Sequence, residues 1–179
     1  ACFLFALSIV TGRTQTPSIR PAVNDGSLSG YKLVWHDEFD GKAVNTNEWN
    51  YRTGERFWST QRPENVSVAN GKLRVILKKE KFGNTEYTAG GLITKREFKF
   101  GYYEARGKMP RGKGWHTSFW MMRNSDDRDQ ELDVCEMDSI NPNGYSTNVH
   151  GYKPTPKAQG ANHIVTPDLT MDFHIWGCE

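Results

Sequence analysis

From residue 31 onward the sequence has almost no run with apolar residues spaced three and four apart, which argues against a helical bundle or an alternating strand–helix fold. It also lacks a glycine-rich nucleotide-binding motif and any Cys/His set with zinc spacing. Formal net charge is only +2, so nothing calls for a nucleic-acid partner or an acidic membrane surface. Cysteine is scarce: Cys2, Cys135 and Cys178 stand far apart, which suits buried thiols better than a disulfide framework. No internal repeat and no internal domain boundary appears after the N-terminal segment. The longest apolar run, in "ACFLFALSIV", is too short to span a bilayer.

That run resembles the apolar stretch of a secretory signal peptide, with Val10 and Gly12 small enough for cleavage after Gly12. The expectation is a partial signal segment over 1–12, a loose linker over 13–30, and a single domain over 31–179. Export follows, to the periplasm or the medium. The chain stops at Glu179 inside an apparent strand, so further strands are expected to follow it.

Aromatic residues are plentiful: six Trp, seven Tyr and nine Phe. Such a load suits a β-rich core and also a cleft that stacks flat ligands or sugar rings. Short alternating runs recur throughout. "NVSVANGKLRVILKK" reads as two strands around Asn70-Gly71, the strongest short hairpin signal. "YYEARGKM", "WHTSFWMM", "ELDVCEMD", "STNVHGY" and "DFHIWGCE" extend the series. Many short strands with Gly and Asn turns predict an all-β antiparallel sandwich or barrel.

Within "DQELDVCEMDS", residues 129–139, acids crowd a strand. Glu131 and Asp133 share one face, while Leu132 and Val134 share the other. Glu136 is out of phase by an odd step. One extra residue around Val134 and Cys135, a β-bulge, brings it back to the face of the other two. Like charges lined up this way cost stability unless water, hydrogen bonds or a shared proton relieve them. A solvated face would ordinarily mix Lys, Thr and Ser into the row. A calcium loop starting at Asp127 would need Gly at its sixth position, where Leu132 stands. A structural ion-pair network remains as the bland alternative to acid/base and nucleophilic work by paired carboxylates.

The neighbouring blocks decide between them. "LVWHDEFDG", "RPENVSVANGKL", "YTAGGLITKREFKFGYYEARGKMPRGKG", "FWMM" and "DFHIWGCE" flank an E-x-D-x-x-E signature in "ELDVCEMD". In that order they resemble glycoside hydrolase family 16, the laminarinases, agarases, carrageenases, porphyranases and related β-glycanases, over roughly residues 31–179. The resemblance implies a β-jelly roll of two curved antiparallel sheets with a concave cleft for a polysaccharide. It implies Glu131 as nucleophile, Glu136 as acid/base and Asp133 as the assisting carboxylate between them. Retaining hydrolysis asks for two carboxyls about 5–5.5 Å apart, which one strand face can supply.

Six further positions are candidates for holding sugar: Trp58, Arg62, Trp115, His116, Trp120 and His150. Trp58 and Trp115 sit beside polar and glycine residues, as cleft aromatics do, and Trp120 in "SFWMM" fits core or cleft. His116 stands where family members often carry the first Trp of W-P-A-F-W, with Trp115 next to it as a substitute platform. His150 in "NVHG" resembles a family histidine near the cleft, or serves as a core histidine. Arg62 can bind a hydroxyl or sulfate, or pair with Glu64. Together with Arg52 and Arg56 it would suit an anionic glycan.

No cofactor is required by this chemistry. The resemblance brings a structural calcium on the convex side, with ligands that the sequence does not identify. The expected partner is a polysaccharide, met by a monomer with no membrane span. A β-glucan and a red-algal galactan both fit as substrate. A transglycosylase uses the same covalent intermediate. A non-catalytic carbohydrate-binding jelly roll would have no need of the paired acids.

Overall fold

The structure is a computed structural model that describes residues 2–5, 30–123, 129–166 and 168–179. Its strands, in chain order, are β1 (Cys2–Phe5), β2 (Trp49–Tyr51), β3 (Gly54–Arg56), β4 (Ser59–Gln61), β5 (Val66–Val68), β6 (Leu73–Ile76), β7 (Lys78–Phe82) and β8 (Thr85–Ala89). There follow β9 (Leu92–Thr94), β10 (Tyr103–Lys108), β11 (His116–Arg123), β12 (Gln130–Asp138), β13 (Gly144–Gly151), β14 (Lys157–Ile164) and β15 (His174–Cys178). A single 3₁₀ turn at Pro63–Asn65 is the one helical element among the described residues. The chain folds as a β-jelly-roll sandwich.

One sheet runs β15-β10-β1-β6-β5 and the other β11-β12-β13-β14. A four-stranded sheet β3-β4-β8-β7 and the pair β2-β9 complete the strands. Among the described residues all pairings are antiparallel except that of β4 with β8. The Asn70-Gly71 turn forms as its chemistry dictates. Both residues take positive φ, 54° and 64°, and β5 pairs with β6 across them.

The core fills between the two main sheets. Val66, Val68, Leu73 and Val75 come from β5 and β6, and Val134, Cys135 and Met137 come from β12. Met109, Trp115, Leu169 and Trp176 close the cluster. Cys135 and Cys178 are free thiols, and burial raises the pKa of both.

One expectation about the N-terminus differs from what is seen. Cys2–Phe5 was expected to stand apart from the sandwich, yet its backbone pairs with β6 on one side and β10 on the other. Four extended residues supply donors and acceptors to two strand edges that would otherwise lack partners. The rest of residues 1–12 and nearly all of the 13–30 linker lie outside the described residues.

Candidate active site

β12 is the second strand of its sheet and carries the acids. Against β11, Phe119 pairs with Cys135 but Trp120 pairs with Asp133, leaving Val134 as an extra residue. Against β13, Asp133 pairs with Asn148 and Glu136 with Ser146, so two residues of β12 again oppose one. The bulge therefore sits at Val134 and Cys135, where the parity of the sequence required it. Val134, Cys135 and Met137 turn into the core. Glu131, Asp133 and Glu136 gather on the opposite face.

Their hydrogen bonds show how the crowding is relieved. Asp133 is almost fully buried, and its Oδ2 stands 3.2 Å from His150 Nε2. Its Oδ1 accepts no hydrogen bond from any described donor. Burial, then the charges of Glu136 and Glu131, push the Asp133 pKa up to about 6, against the opposing pull of His150.

Glu131 Oε2 also accepts a 2.6 Å hydrogen bond from the Tyr152 hydroxyl. That bond, with lesser contributions from burial and the nearby acids, pushes the tyrosine up to about 12, so it stays a donor at any working pH. Tyr152 stacks on His150, with ring centroids 5.8 Å apart. Glu136 Oε2 accepts a 2.6 Å bond from Asn148 Nδ2, and its Oε1 faces His116 Nε2 at 3.2 Å. The far nitrogen of that ring, Nδ1, lies 2.9 Å from Asp138 Oδ1. Arg52 stands 4.8 Å over the Trp120 ring, close enough to Glu131 for their charges to interact.

Of the six positions expected to hold sugar, the structure brings His116, His150 and Trp120 to the acids. Trp58 is 84% exposed, beside the tip of the β3–β4 hairpin. Trp115 corrects the expectation: it is 4% exposed, in the core, with its Nε1 donating to the Gly112 carbonyl. A ring packed on both faces offers none to a sugar. Arg62 is also committed elsewhere. It pairs with Glu80 at 3.1 Å and Glu64 at 3.3 Å, and lies over the Phe82 ring.

Asn148 and Tyr152 were missed from the sequence. The signal was there, since residues 148, 150 and 152 stand two apart and His150 had already been singled out. For the expected calcium, no group of three or more His, Cys, Asp or Glu side chains among the described residues is arranged to hold a metal ion. In the acidic stretch 37–40, both Asp37 oxygens are taken, by the Phe39 amide and the Trp49 indole, and Glu38 faces His36.

An all-β sandwich with a row of carboxylates on one sheet is the arrangement expected of the jelly-roll glycoside hydrolase class. The model of "Glycosyl hydrolases family 16" matches residues 53–179, and the chain belongs to that family. It is 28% identical over 195 residues to a β-glucanase of Rhodothermus marinus, covering 98% of this chain and 67% of that protein. It is 29% identical over 171 residues to β-porphyranase E of Zobellia galactanivorans, covering 79% of this chain and 59% of that one. The catalytic domain of an endo-1,3-β-glucanase (laminarinase) from Thermotoga petrophila superposes with a TM-score of 0.74 at 28% identity, over 82% of this chain and 68% of that one. The chain thus spans about two thirds or less of the length of these two sequence relatives. No helix among the described residues is long and apolar enough to cross a membrane.

Proposed function

We propose that this chain carries the catalytic face of an exported, endo-acting, retaining β-glycanase, which hydrolyses a β-glucan or a red-algal galactan through a glycosyl-enzyme. The observation that carries this reading is the bulge at Val134 and Cys135, which sets Glu131, Asp133 and Glu136 on one face. Glu131 attacks the anomeric carbon, while Glu136 protonates the leaving oxygen. A covalent ester forms at Glu131. Glu136, now a carboxylate, takes a proton from water, and the resulting hydroxide displaces Glu131 from the sugar. Two displacements return the original configuration.

The surroundings suit these roles. Tyr152 donates to Glu131 and Asn148 to Glu136, so each carboxyl is held in one orientation. Asp133, its pKa raised to about 6, takes up a proton more readily than a free carboxyl and so eases the crowding of charge between Glu131 and Glu136. Substrates of this kind are too large to enter a cell, which supports action outside the cytoplasm. The names of the relatives support both glucan and galactan. Reducing-end release from a panel of β-glucans and agar-type galactans, measured with the full-length protein, tests the reading. Release of internal oligosaccharides is the expected result; silence across the panel would overturn it.

A further inference from the structure

His116 stands with both ring nitrogens against carboxylate oxygens: Nε2 at 3.2 Å from Glu136 Oε1 and Nδ1 at 2.9 Å from Asp138 Oδ1. A neutral imidazole has one N–H and one lone pair, so it satisfies only one of two ionised carboxylates. With the exposed Asp138 ionised, two arrangements remove the conflict. The ring is an imidazolium donating to both, or the Nδ1–H donates to Asp138 while protonated Glu136 donates to Nε2. These differ only in where one proton sits along the Glu136–Nε2 hydrogen bond.

The geometry points to His116 as a positioning residue that shares the working proton of Glu136 and is itself oriented by Asp138. This rests on Glu136 being the acid/base. The proton balance closes over a turnover. In the first step Glu136 gives its proton to the leaving oxygen, and the pair is left as carboxylate and neutral imidazole. In the second step the attacking water returns one proton to Glu136. Between turnovers that proton resides on either partner.

The other groups around the pair do not duplicate this. Asn148, from β13, is a neutral donor to the second oxygen of Glu136. On β12, Asp133 adds negative charge and is itself faced by His150, while Glu131 is bound by Tyr152 and lies within range of Arg52. The row thus carries several carboxyls and one base aimed at Glu136. His116 is half in water, so its proton exchanges freely with solvent.

The consequence is a shift in pH response. A lone carboxyl loses its proton, and with it the acid function, as pH rises. With imidazole alongside, the last proton of the pair leaves at higher pH, because Nε2 gives it a more basic place to wait. The basic limb of the activity profile is therefore extended.

Two variants and one spectrum test this in the full-length protein. His116→Gln keeps an amide to hold Glu136 but no titratable proton, and Asp138→Asn removes the carboxylate that supports Nδ1–H. The basic limb of kcat/KM should move to lower pH by about one unit or more in His116→Gln, and less in Asp138→Asn. Independently of turnover, the ¹⁵N-resolved titration of His116 should move to lower pH in Glu136→Gln. A limb that stays in place while activity falls at every pH would make the role structural and overturn the inference. So would a raised KM with an unmoved limb, or a His116 titration indifferent to Glu136→Gln. A wild-type protein inactive on every glycan would count against the proposed function alone, and the spectrum would still decide the shared proton.

Discussion

Gly160 of β14 lies directly across from Asn148 of β13, and the space its Cβ would occupy is filled by the Asn148 amide. That amide is the group that holds Glu136 Oε2. The absence of a side chain on an outer strand thereby reaches the reacting carboxyl two strands away. Gly160→Ala should push Asn148 aside and lower kcat by about ten- to a hundredfold, the scale of a misplacement near 1 Å. Asn148→Ala should do the same with little change in melting temperature. If Gly160→Ala were fully active, Asn148 would not be setting the position of Glu136.

Asp133 makes a pH-dependent contribution to stability. Its folded pKa of about 6 lies above its ordinary value of 3.8, so between these pH values the folded protein holds more protons than the unfolded chain. Stability from this group is therefore greatest below about pH 4 and falls as pH rises towards 6, by on the order of 2–3 kcal/mol. Asp133→Asn has no charge to bury. Urea melts should show the variant more stable than wild type above pH 6, with the advantage gone below pH 4. An equal gain at both ends would show that folding does not raise the Asp133 pKa.

The two tryptophans singled out beside glycine and polar residues should separate cleanly. Trp115 is core, and Trp115→Ala should cost about 3–5 kcal/mol. Trp58 is exposed, and Trp58→Ala should leave stability within about 0.5 kcal/mol. Its effect should fall on KM for the polymer, raised several-fold with kcat kept, as loss of uniform binding requires. Unchanged KM would remove Trp58 from the sugar-binding surface.

What could be read from the sequence follows the range of the interaction. The bulge at Val134 was legible because side-chain parity is a local rule, and an odd step between two acids can be repaired only by an extra residue. The Asn70-Gly71 hairpin was legible because its φ values belong to those residue types. The burial of Trp115 was not, because glycine neighbours describe the chain nearby and not what packs across the sandwich. The parallel pairing of β4 with β8, and the place of Cys2–Phe5 between β6 and β10, depend on which distant edges are left open. Asn148 lay between the two. Its spacing from His150 put it on the right face, but its hydrogen bond to Glu136 depends on the room left by Gly160, one strand further out.

The division of labour between Glu131 and Glu136 is the centre of the account, and the stereochemistry of azide rescue tests it most directly. In Glu131→Ala the nucleophile is gone and no glycosyl-enzyme forms. Azide should then attack an activated glycoside itself and give a glycosyl azide of inverted configuration. In Glu136→Ala a substrate with a good leaving group still forms the glycosyl-enzyme, which should accumulate until azide releases it with retained configuration. Nuclear magnetic resonance of the two azide products reads the outcome. Inversion from the first variant and retention from the second is the predicted result, and a retained product from Glu131→Ala would contradict the assignment.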